Sequence, residues 1–134
     1  MERTNRILYA AGLAVLITGL SLSAFGQKVT RIRFARGATH AAVSGTLHGF
    51  NSEKRFVIRV RAGQTLRTEQ IGESHHITIY IDDPGSHEAG DSDASCNNRR
   101  AITPTEAGDY RIRVVECQKA DRWHGTFRFR VTVR

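Results

Sequence analysis

The stretch Phe127-Arg128-Phe129-Arg130-Val131-Thr132-Val133-Arg134 alternates an aromatic or β-branched residue with an arginine or threonine. Because successive side chains of a β-strand point to opposite faces, this period of two predicts a strand with one buried face and one face in water. Three further segments share the pattern and are predicted as strands: Phe56–Arg61, Ile77–Ile81 and Tyr110–Val114. Weaker versions predict four more strands, at Thr30–Phe34, Ala42–Leu47, Thr65–Glu69 and Arg100–Thr103.

Turn-forming residues separate these strands, as in Ala62-Gly63-Gln64, Asp82-Asp83-Pro84-Gly85 and Ala107-Gly108-Asp109. After position 26, no segment shows the apolar spacing of an amphipathic helix. We therefore predict one all-β domain over residues 27–134, a small antiparallel β-sandwich of about seven or eight strands. A small closed barrel is the alternative.

The first 26 residues have the composition of a secretory signal peptide. Two arginines precede the nearly continuous apolar run Ile7–Leu22, and the small residues Ala24 and Gly26 follow it. This order predicts cleavage before Gln27 and a periplasmic or secreted protein. The alternative is an uncleaved membrane anchor, because an apolar run of roughly 18 residues is close to the lower limit for crossing a bilayer.

Both cysteines, Cys96 and Cys117, lie in the predicted β-domain. An exported chain passes through an oxidising compartment, so we predict a Cys96–Cys117 disulfide. In the chain-entropy model, closing a loop of roughly 20 residues contributes about 3 kcal/mol to stability. The alternative is a reactive thiol nucleophile, which needs a neighbouring base, but the residues around either cysteine match no known motif of that kind.

The six histidines do not match a zinc motif, and His75 and His76 point to opposite faces if they lie on one strand. The acidic residues of the longest irregular segment could instead supply the oxygen ligands of calcium. That segment is not an EF-hand loop, because a loop beginning at Asp91 would have a cysteine where glycine is required. Asp83, Asp91 and Asp93 are the candidates for an irregular calcium site, and the alternative is an acidic turn exposed to water.

No motif of an enzyme stands out in the sequence. Val43-Ser44-Gly45-Thr46 lacks the glycine that precedes the serine of a nucleophile elbow by two residues, and phosphate-binding glycine motifs are absent. We therefore predict a protein without catalytic activity and without a cofactor, whose role is to bind another molecule.

Two irregular segments are predicted to contact a partner. The longer segment is 83–98, and loops of more than about 12 to 15 residues in a compact domain are usually functional or disordered. The other segment, 117–125, contains Trp123 and His124, and a loop tryptophan is a frequent anchor of protein interfaces. The alternative for Trp123 is structural, with the indole folded back as a lid on one open end of the sandwich.

Arginines form the third candidate site. Residues 27–134 hold 18 of the 20 basic and 12 of the 13 acidic residues, which leaves a net charge of +6. Six arginines lie on the predicted water side of their strands, and we expect adjacent strands to align them as one basic stripe: Arg59, Arg61, Arg111, Arg113, Arg128 and Arg130.

The last four of these, Arg111, Arg113, Arg128 and Arg130, are the predicted contacts for an anionic cell-envelope polymer or an acidic protein. Nucleic acid is not an expected partner, because exposed aromatic residues for base stacking are nearly absent. The alternative is that the arginines pair across strands with acids such as Glu69 and Glu116, which would keep the sheets soluble.

Several segments taken together resemble a known β-sandwich. They are Val43–Leu47, Arg55–Leu66, Ile79–Gly85, Ala107–Val114 and Gly125–Val131, and they span nearly the whole predicted domain. The arrangement is similar to the bacterial pre-peptidase C-terminal domain and to the periplasmic inhibitors of invertebrate-type and goose-type lysozymes. The most telling segments are Ala62–Leu66 and Ala107–Val114, which are framework turns and strands.

The resemblance implies a β-sandwich, and its inhibitor-like members imply a lysozyme as the partner. The predicted function is therefore an exported, non-enzymatic binding protein of the lysozyme-inhibitor kind. An arginine-rich binding module for anionic envelope polymers and a calcium-stabilised structural module are the alternatives. Contact with the membrane is expected only through the signal peptide before cleavage.

Overall fold

A computed structural model describes residues 26–72, 75–89, 96–119 and 121–134. Residues 1–25 of the predicted signal peptide lie outside these ranges. Among the described residues, no helix is long and apolar enough to cross a membrane. Eight strands follow one another along the chain: β1 (Val29–Arg31), β2 (His40–His48), β3 (Glu53–Val60), β4 (Leu66–Gln70), β5 (Ile77–Asp82), β6 (Arg99–Ile102), β7 (Gly108–Glu116) and β8 (His124–Val133).

The eight strands form two four-stranded sheets. Sheet A has the order β1-β3-β7-β5, and sheet B has the order β2-β8-β4-β6. The predicted β-sandwich is therefore confirmed, and the closed barrel was the wrong alternative. Five of the pairings are antiparallel, but β1 and β3 run parallel. This difference from the prediction arises because β2, in the other sheet, separates β1 from β3 along the chain.

Inward-facing side chains of both sheets form one core. The alternation predicted for β8 is observed, since Phe127, Phe129 and Val131 are buried while the intervening arginines are exposed. The ring of Phe56 in sheet A meets the ring of Phe129 in sheet B edge to face, with centroids 5.4 Å apart. Burying a side chain of this size stabilises a domain by about 1.5–3 kcal/mol. The apolar contact between the sheets is thus made by the inward residues that the period of two predicts.

Glycine at position 45 allows one core ring to pack. Gly45 on β2 lies opposite Phe127 on β8, and a Cβ at position 45 would come 2.6 Å from the tip of that ring. Any larger residue would have to displace the phenylalanine. Gly45 therefore has a packing role in β2.

The first weak strand is shorter than predicted. The prediction was Thr30–Phe34, whereas β1 ends at Arg31. Ile32 still donates a hydrogen bond from its N–H to the carbonyl of Val57 at 2.8 Å, and both Ile32 and Phe34 then pack against the core. The chain leaves sheet A at this point to reach sheet B, which ends the ladder. Of the other three weak strands, β4 and β6 begin within one residue of their predicted starts, and β2 is longer than predicted at both ends.

The segment 83–98, predicted as irregular, covers the free edge of β5 with its two ends. The N–H of Ala89 donates to the carbonyl of Ile81 at 2.7 Å, and the N–H of Ile79 donates to the carbonyl of Asn97 at 2.9 Å. Because an unpaired strand edge would expose a row of backbone donors and acceptors, these contacts protect sheet A at β5. Residues 90–95 lie outside the described ranges.

A buried arginine joins the two sheets along the same edge. Arg100 of β6 donates from Nε to the carbonyl of Ile79 in β5 at 2.9 Å, and its Nη2 lies 3.6 Å from Oε1 of Glu88. The side chain of Arg100 has no exposed surface. Its charge is partly compensated by the carboxylate and by the face of the Tyr80 ring, 5.6 Å away. Arg100 of sheet B therefore links β6 to β5 of sheet A at this edge of the sandwich.

Candidate binding surfaces

The predicted disulfide is present at one end of the sandwich. Cys96 and Cys117 are bonded, with their Cα atoms 4.6 Å apart. The N–H of Cys117 donates to the carbonyl of His76 at 2.8 Å, and the N–H of Cys96 donates to Oγ1 of Thr78. The bridge therefore fixes the end of the 83–98 segment to the last residue of the β7 region. We call residues 49–52, 96–98, 117–119 and 121–124 the disulfide end.

Trp123 lies over the core at the disulfide end. Its indole stacks on the imidazole of His76, with centroids 5.2 Å apart and planes inclined by 14°. The ring also packs over Gly125, where a Cβ would come 2.6 Å from the indole. The indole is only partly exposed and contacts the hydrophobic core. This geometry agrees with the structural alternative, a lid on the open end, and leaves His124 as the exposed member of the pair.

A buried carboxylate holds the tryptophan loop in place. Glu116 is buried at the end of β7, and its Oε1 accepts a hydrogen bond from the N–H of Trp123. The sequence offered Glu116 as a surface partner for arginine, and this role is wrong. The inward direction follows from the alternation of β7, in which Ile112, Val114 and Glu116 all point to the core. Glu69, the other acid named, does pair with Arg130, at 3.2 Å.

The six predicted surface arginines do not form one stripe. Arg59, Arg61, Arg111 and Arg113 belong to β3, β7 and the adjoining turn in sheet A, whereas Arg128 and Arg130 belong to β8 in sheet B. Because the two sheets pack through their apolar faces, their outer faces point in opposite directions. The predicted single stripe is therefore wrong, and the arginines lie on two surfaces. We call the outer surface of sheet A face A and that of sheet B face B.

Arginines on face A have local partners. Arg31 forms two hydrogen bonds to the carboxylate of Asp109, at 3.1 and 3.3 Å, and Arg59 lies 3.6 Å from the same carboxylate. The hydrogen bonds from Arg31 lower the pKa of Asp109 below its usual value, and the carboxylate in turn raises the pKa of Arg31. Arg55 pairs with Glu53 at 2.5 Å.

The two arginines of β7 that were predicted as partner contacts are also engaged. Arg111 donates to the hydroxyl of Ser86 at 3.0 Å. The guanidinium of Arg113 lies over the ring of Tyr80, 4.6 Å from its centroid, in a cation–π contact. Arg31, Arg55 and Arg59 thus agree with the alternative in which arginines pair with acids, whereas Arg111 and Arg113 contact a hydroxyl group and an aromatic ring.

Face B carries two further arginines, Arg67 and Arg99, which were not among the six predicted for a basic stripe. The register of β4 aligns Arg67 with Thr132 of β8 and Glu69 with Arg130, and Arg99 of β6 lies opposite Glu69. The alternation within Thr65–Glu69 already indicated that Arg67 faces outward. Only the sheet order shows that Arg67, Arg99, Arg128 and Arg130 share one surface.

Asp83, a predicted calcium ligand, is used within a turn. Its Oδ1 accepts a hydrogen bond from the backbone N–H of His87 at 2.9 Å and lies 3.4 Å from Nδ1 of the same histidine. The backbone hydrogen bond lowers the pKa of Asp83 below its usual value. Asp91 and Asp93 lie outside the described ranges. Within the ranges that the structure describes, no three His, Cys, Asp or Glu residues are grouped closely enough to hold a metal ion.

Comparison with solved structures identifies the scaffold. The chain is similar to the PliG protein of Aeromonas hydrophila, a periplasmic lysozyme inhibitor of g-type lysozyme, with a TM-score of 0.61 and 20% identity over 79% of this chain and 96% of that one. It is similar to Salmonella Typhimurium PliG, another periplasmic inhibitor of g-type lysozyme, with a TM-score of 0.62 and 18% identity over 80% and 98% of the two chains.

A second kind of solved structure has the same scaffold. The pre-peptidase C-terminal domain of a collagenase from Bacillus anthracis matches with a TM-score of 0.53 and 14% identity over 81% of this chain and 97% of that one. No protein-family model and no curated protein matches the sequence. The resemblance noted in the sequence is thus confirmed at the level of the fold, which this chain shares with both kinds of protein.

Proposed function

We propose that this chain is an exported, non-enzymatic binding protein that inhibits a lysozyme of the goose type. The observation that carries the proposal is the shared fold, which extends over 96% and 98% of the two periplasmic inhibitors. The buried polar side chains Arg100 and Glu116 each hydrogen-bond to the backbone of another segment, so they have structural roles, which fits a binding protein without catalytic activity.

The disulfide end is the surface we propose for contact with the enzyme. Its loops are held by the Cys96–Cys117 bond and by the Glu116–Trp123 hydrogen bond, so little conformational freedom is lost on binding. Exposed polar groups project from this rigid base, namely Arg122, whose guanidinium lies 5.5 Å from the ring centroid of Phe50, and His124. Preorganised loops of this kind are suited to filling a concave cleft.

The test is inhibition of lysozyme by purified residues 27–134. We expect loss of goose-type activity at a near-stoichiometric ratio, with chicken-type and invertebrate-type enzymes assayed in parallel. An absence of inhibition of all three enzymes would overturn the proposal. Inhibition of only the chicken-type or invertebrate-type enzyme would overturn the assignment to the goose type.

A pair of variants locates the contact surface. Arg122→Ala with His124→Ala removes exposed side chains from the disulfide end, and we expect inhibition to weaken at least tenfold, since hot-spot side chains contribute about 1–3 kcal/mol or more each. The matched control is Arg36→Ala with Arg61→Ala, which removes exposed side chains from the opposite end. Equal inhibition by the two double variants would contradict the proposed surface.

A further inference from the structure

Face B has an excess of positive charge that is built into one sheet. The strands β2, β8, β4 and β6 contain a single acidic residue, Glu69. Glu69 lies between Arg99 and Arg130 in one row across the sheet, so this row has two guanidinium groups and one carboxylate. Arg67 lies opposite Thr132 of β8, one outward row from Arg130, and Arg128 lies opposite Ser44 of β2, one outward row further along β8.

The two faces of the sandwich differ in how their arginines are paired. On face A, the guanidinium groups of Arg31, Arg55 and Arg59 contact carboxylates, and those of Arg111 and Arg113 contact the Ser86 hydroxyl and the Tyr80 ring. On face B, Arg130 is paired with Glu69, whereas no carboxylate of the described residues lies within ion-pair distance of Arg67, Arg99 or Arg128. Face B therefore presents guanidinium groups whose charge is available to an external anion.

The same face is concave. A groove of about 510 Å³ runs across β2, β8 and β4, and a second groove of about 450 Å³ continues from it toward β6. Both grooves are lined by Arg67 and Glu69, so they form one depression across the sheet. Arg130 and Arg134 line the first groove and Arg99 lines the second.

We propose that face B binds a linear polymer of phosphate groups. Arginine matches phosphate geometrically, because its planar guanidinium donates two parallel hydrogen bonds to the oxygens. Outward residues of one strand repeat about every 6.8 Å and neighbouring strands lie about 4.8 Å apart, so one extended phosphate chain can reach Arg67, Arg99, Arg128 and Arg130 together. A single exposed ion pair is weak, and several contacts made at once by one chain supply the affinity.

This site is separate from the disulfide end, so it does not depend on the proposed lysozyme inhibition. Residues of face B lie on the outer surface of sheet B, whereas the proposed inhibitory surface comprises loops at one end of the sandwich. A protein with both surfaces could hold a phosphate polymer and a protein partner at the same time. Each site can therefore be lost by mutation without loss of the other.

The experiment measures binding of residues 27–134 to inorganic polyphosphate by titration calorimetry over a range of salt concentrations. We expect the affinity to fall linearly on a plot of log K against log salt, as counterions are released. The variant Arg67→Gln/Arg99→Gln/Arg128→Gln should reduce the slope by about 2 to 3 and weaken binding roughly tenfold or more.

The matched control removes the same charge from the other face. Arg55→Gln/Arg59→Gln/Arg111→Gln lowers the net charge by the same amount, and we expect it to retain most of the affinity of the unaltered protein. An equal loss in both triple variants would overturn the proposal, because it would show that only net charge matters. Absence of binding, or equal affinity for poly-L-glutamate, would overturn the assignment to phosphate.

A second measurement needs no variant. Amide chemical shifts of the unaltered domain are recorded as polyphosphate is added, and we expect the largest changes on β4, β6 and β8 around Arg67, Arg99 and Arg128. Changes of the same size on β3 and β7 would contradict a site on face B. This readout keeps the proposal testable if the substitutions reduce stability.

Discussion

The indole of Trp123 stacks on the imidazole of His76, with ring centroids 5.2 Å apart, and thereby joins the β7–β8 loop to the residues that precede β5. The same residue donates its backbone N–H to the buried carboxylate of Glu116. One side chain and one peptide group thus hold the loop against the core by two independent contacts. The arrangement agrees with the structural alternative for Trp123, in which the indole covers one open end of the sandwich.

Replacing this tryptophan should destabilise the domain. Trp123→Ala removes a stacked, partly buried ring, and we expect the free energy of unfolding to fall by about 2–3 kcal/mol, less than for a fully buried tryptophan. Trp123→Phe keeps an aromatic face for His76 and should lose about 1 kcal/mol. Urea denaturation monitored by circular dichroism measures both values. An unchanged midpoint for the alanine variant would contradict the role as a lid.

A substitution at Gly125 tests the packing of the Trp123 indole over this glycine. Gly125→Ala introduces a Cβ that would come 2.6 Å from the indole, so we expect a destabilisation of about 1–3 kcal/mol by overpacking. In the Trp123→Ala background this substitution should cost much less, because the ring that it meets is gone. A double-mutant cycle measures the difference, and additive effects would show that the ring and the glycine are not coupled.

Loss of the disulfide should lower stability without a change of fold. The bond joins residues 21 positions apart, and the chain-entropy model gives a contribution of about 3 kcal/mol for such a loop. We expect Cys96→Ser/Cys117→Ser to show that loss in urea denaturation. The addition of dithiothreitol should affect the unaltered protein and leave the variant unchanged. A response of the variant to reductant would contradict this account.

The buried Arg100 and its exposed neighbour Arg99 form a matched pair for mutation. Arg100→Ala leaves the carbonyl of Ile79 without its donor and removes the charge beside Glu88, and we expect a loss of about 3 kcal/mol. Arg99→Ala, on the next residue of the same strand, should change stability by less than about 0.5 kcal/mol. Thermal unfolding of the two variants compares them, and equal effects would contradict the bridging role of Arg100.

Asp109 should make stability depend on pH at the acidic end. Its pKa in the folded protein is below the usual value, so the ionised carboxylate stabilises the fold above the unfolded pKa. That stabilisation is lost as pH falls through the folded pKa. We expect Asp109→Asn to be less stable than the unaltered protein at neutral pH, with the difference shrinking as pH falls below about 4.

The cause of the shift can be tested at the partner. Arg31→Gln removes the two hydrogen bonds to Asp109, and we expect the pKa of Asp109 to rise toward its usual value in an NMR titration of the carboxyl group. Arg128→Gln, on face B, removes a charge from the opposite sheet and serves as the control. A similar rise in both variants would indicate a general charge effect in place of the local contact.

The sequence by itself determined the number of strands and the direction of most side chains. Alternation in β8 placed Phe127 and Phe129 inward and Arg128 and Arg130 outward, because the period of two is a local property of the extended backbone. The pairing of Cys96 with Cys117 followed from there being two cysteines in a β-domain predicted to be exported. These features need no knowledge of which strands are neighbours.

Only the tertiary structure decided which residues share a surface. Alternation separates inside from outside, but it does not state which sheet a strand joins, and neighbouring strands here are often distant in sequence. For that reason Arg111 and Arg128 were expected in one stripe and lie on opposite faces. The inward Glu116 and the buried Arg100 depended on contacts across sheets and loops, which no local pattern records. The excess of positive charge was thus evident from the sequence, but the order of the strands decides that most carboxylate-paired arginines lie on face A and that Arg67, Arg99 and Arg128 lie together on face B.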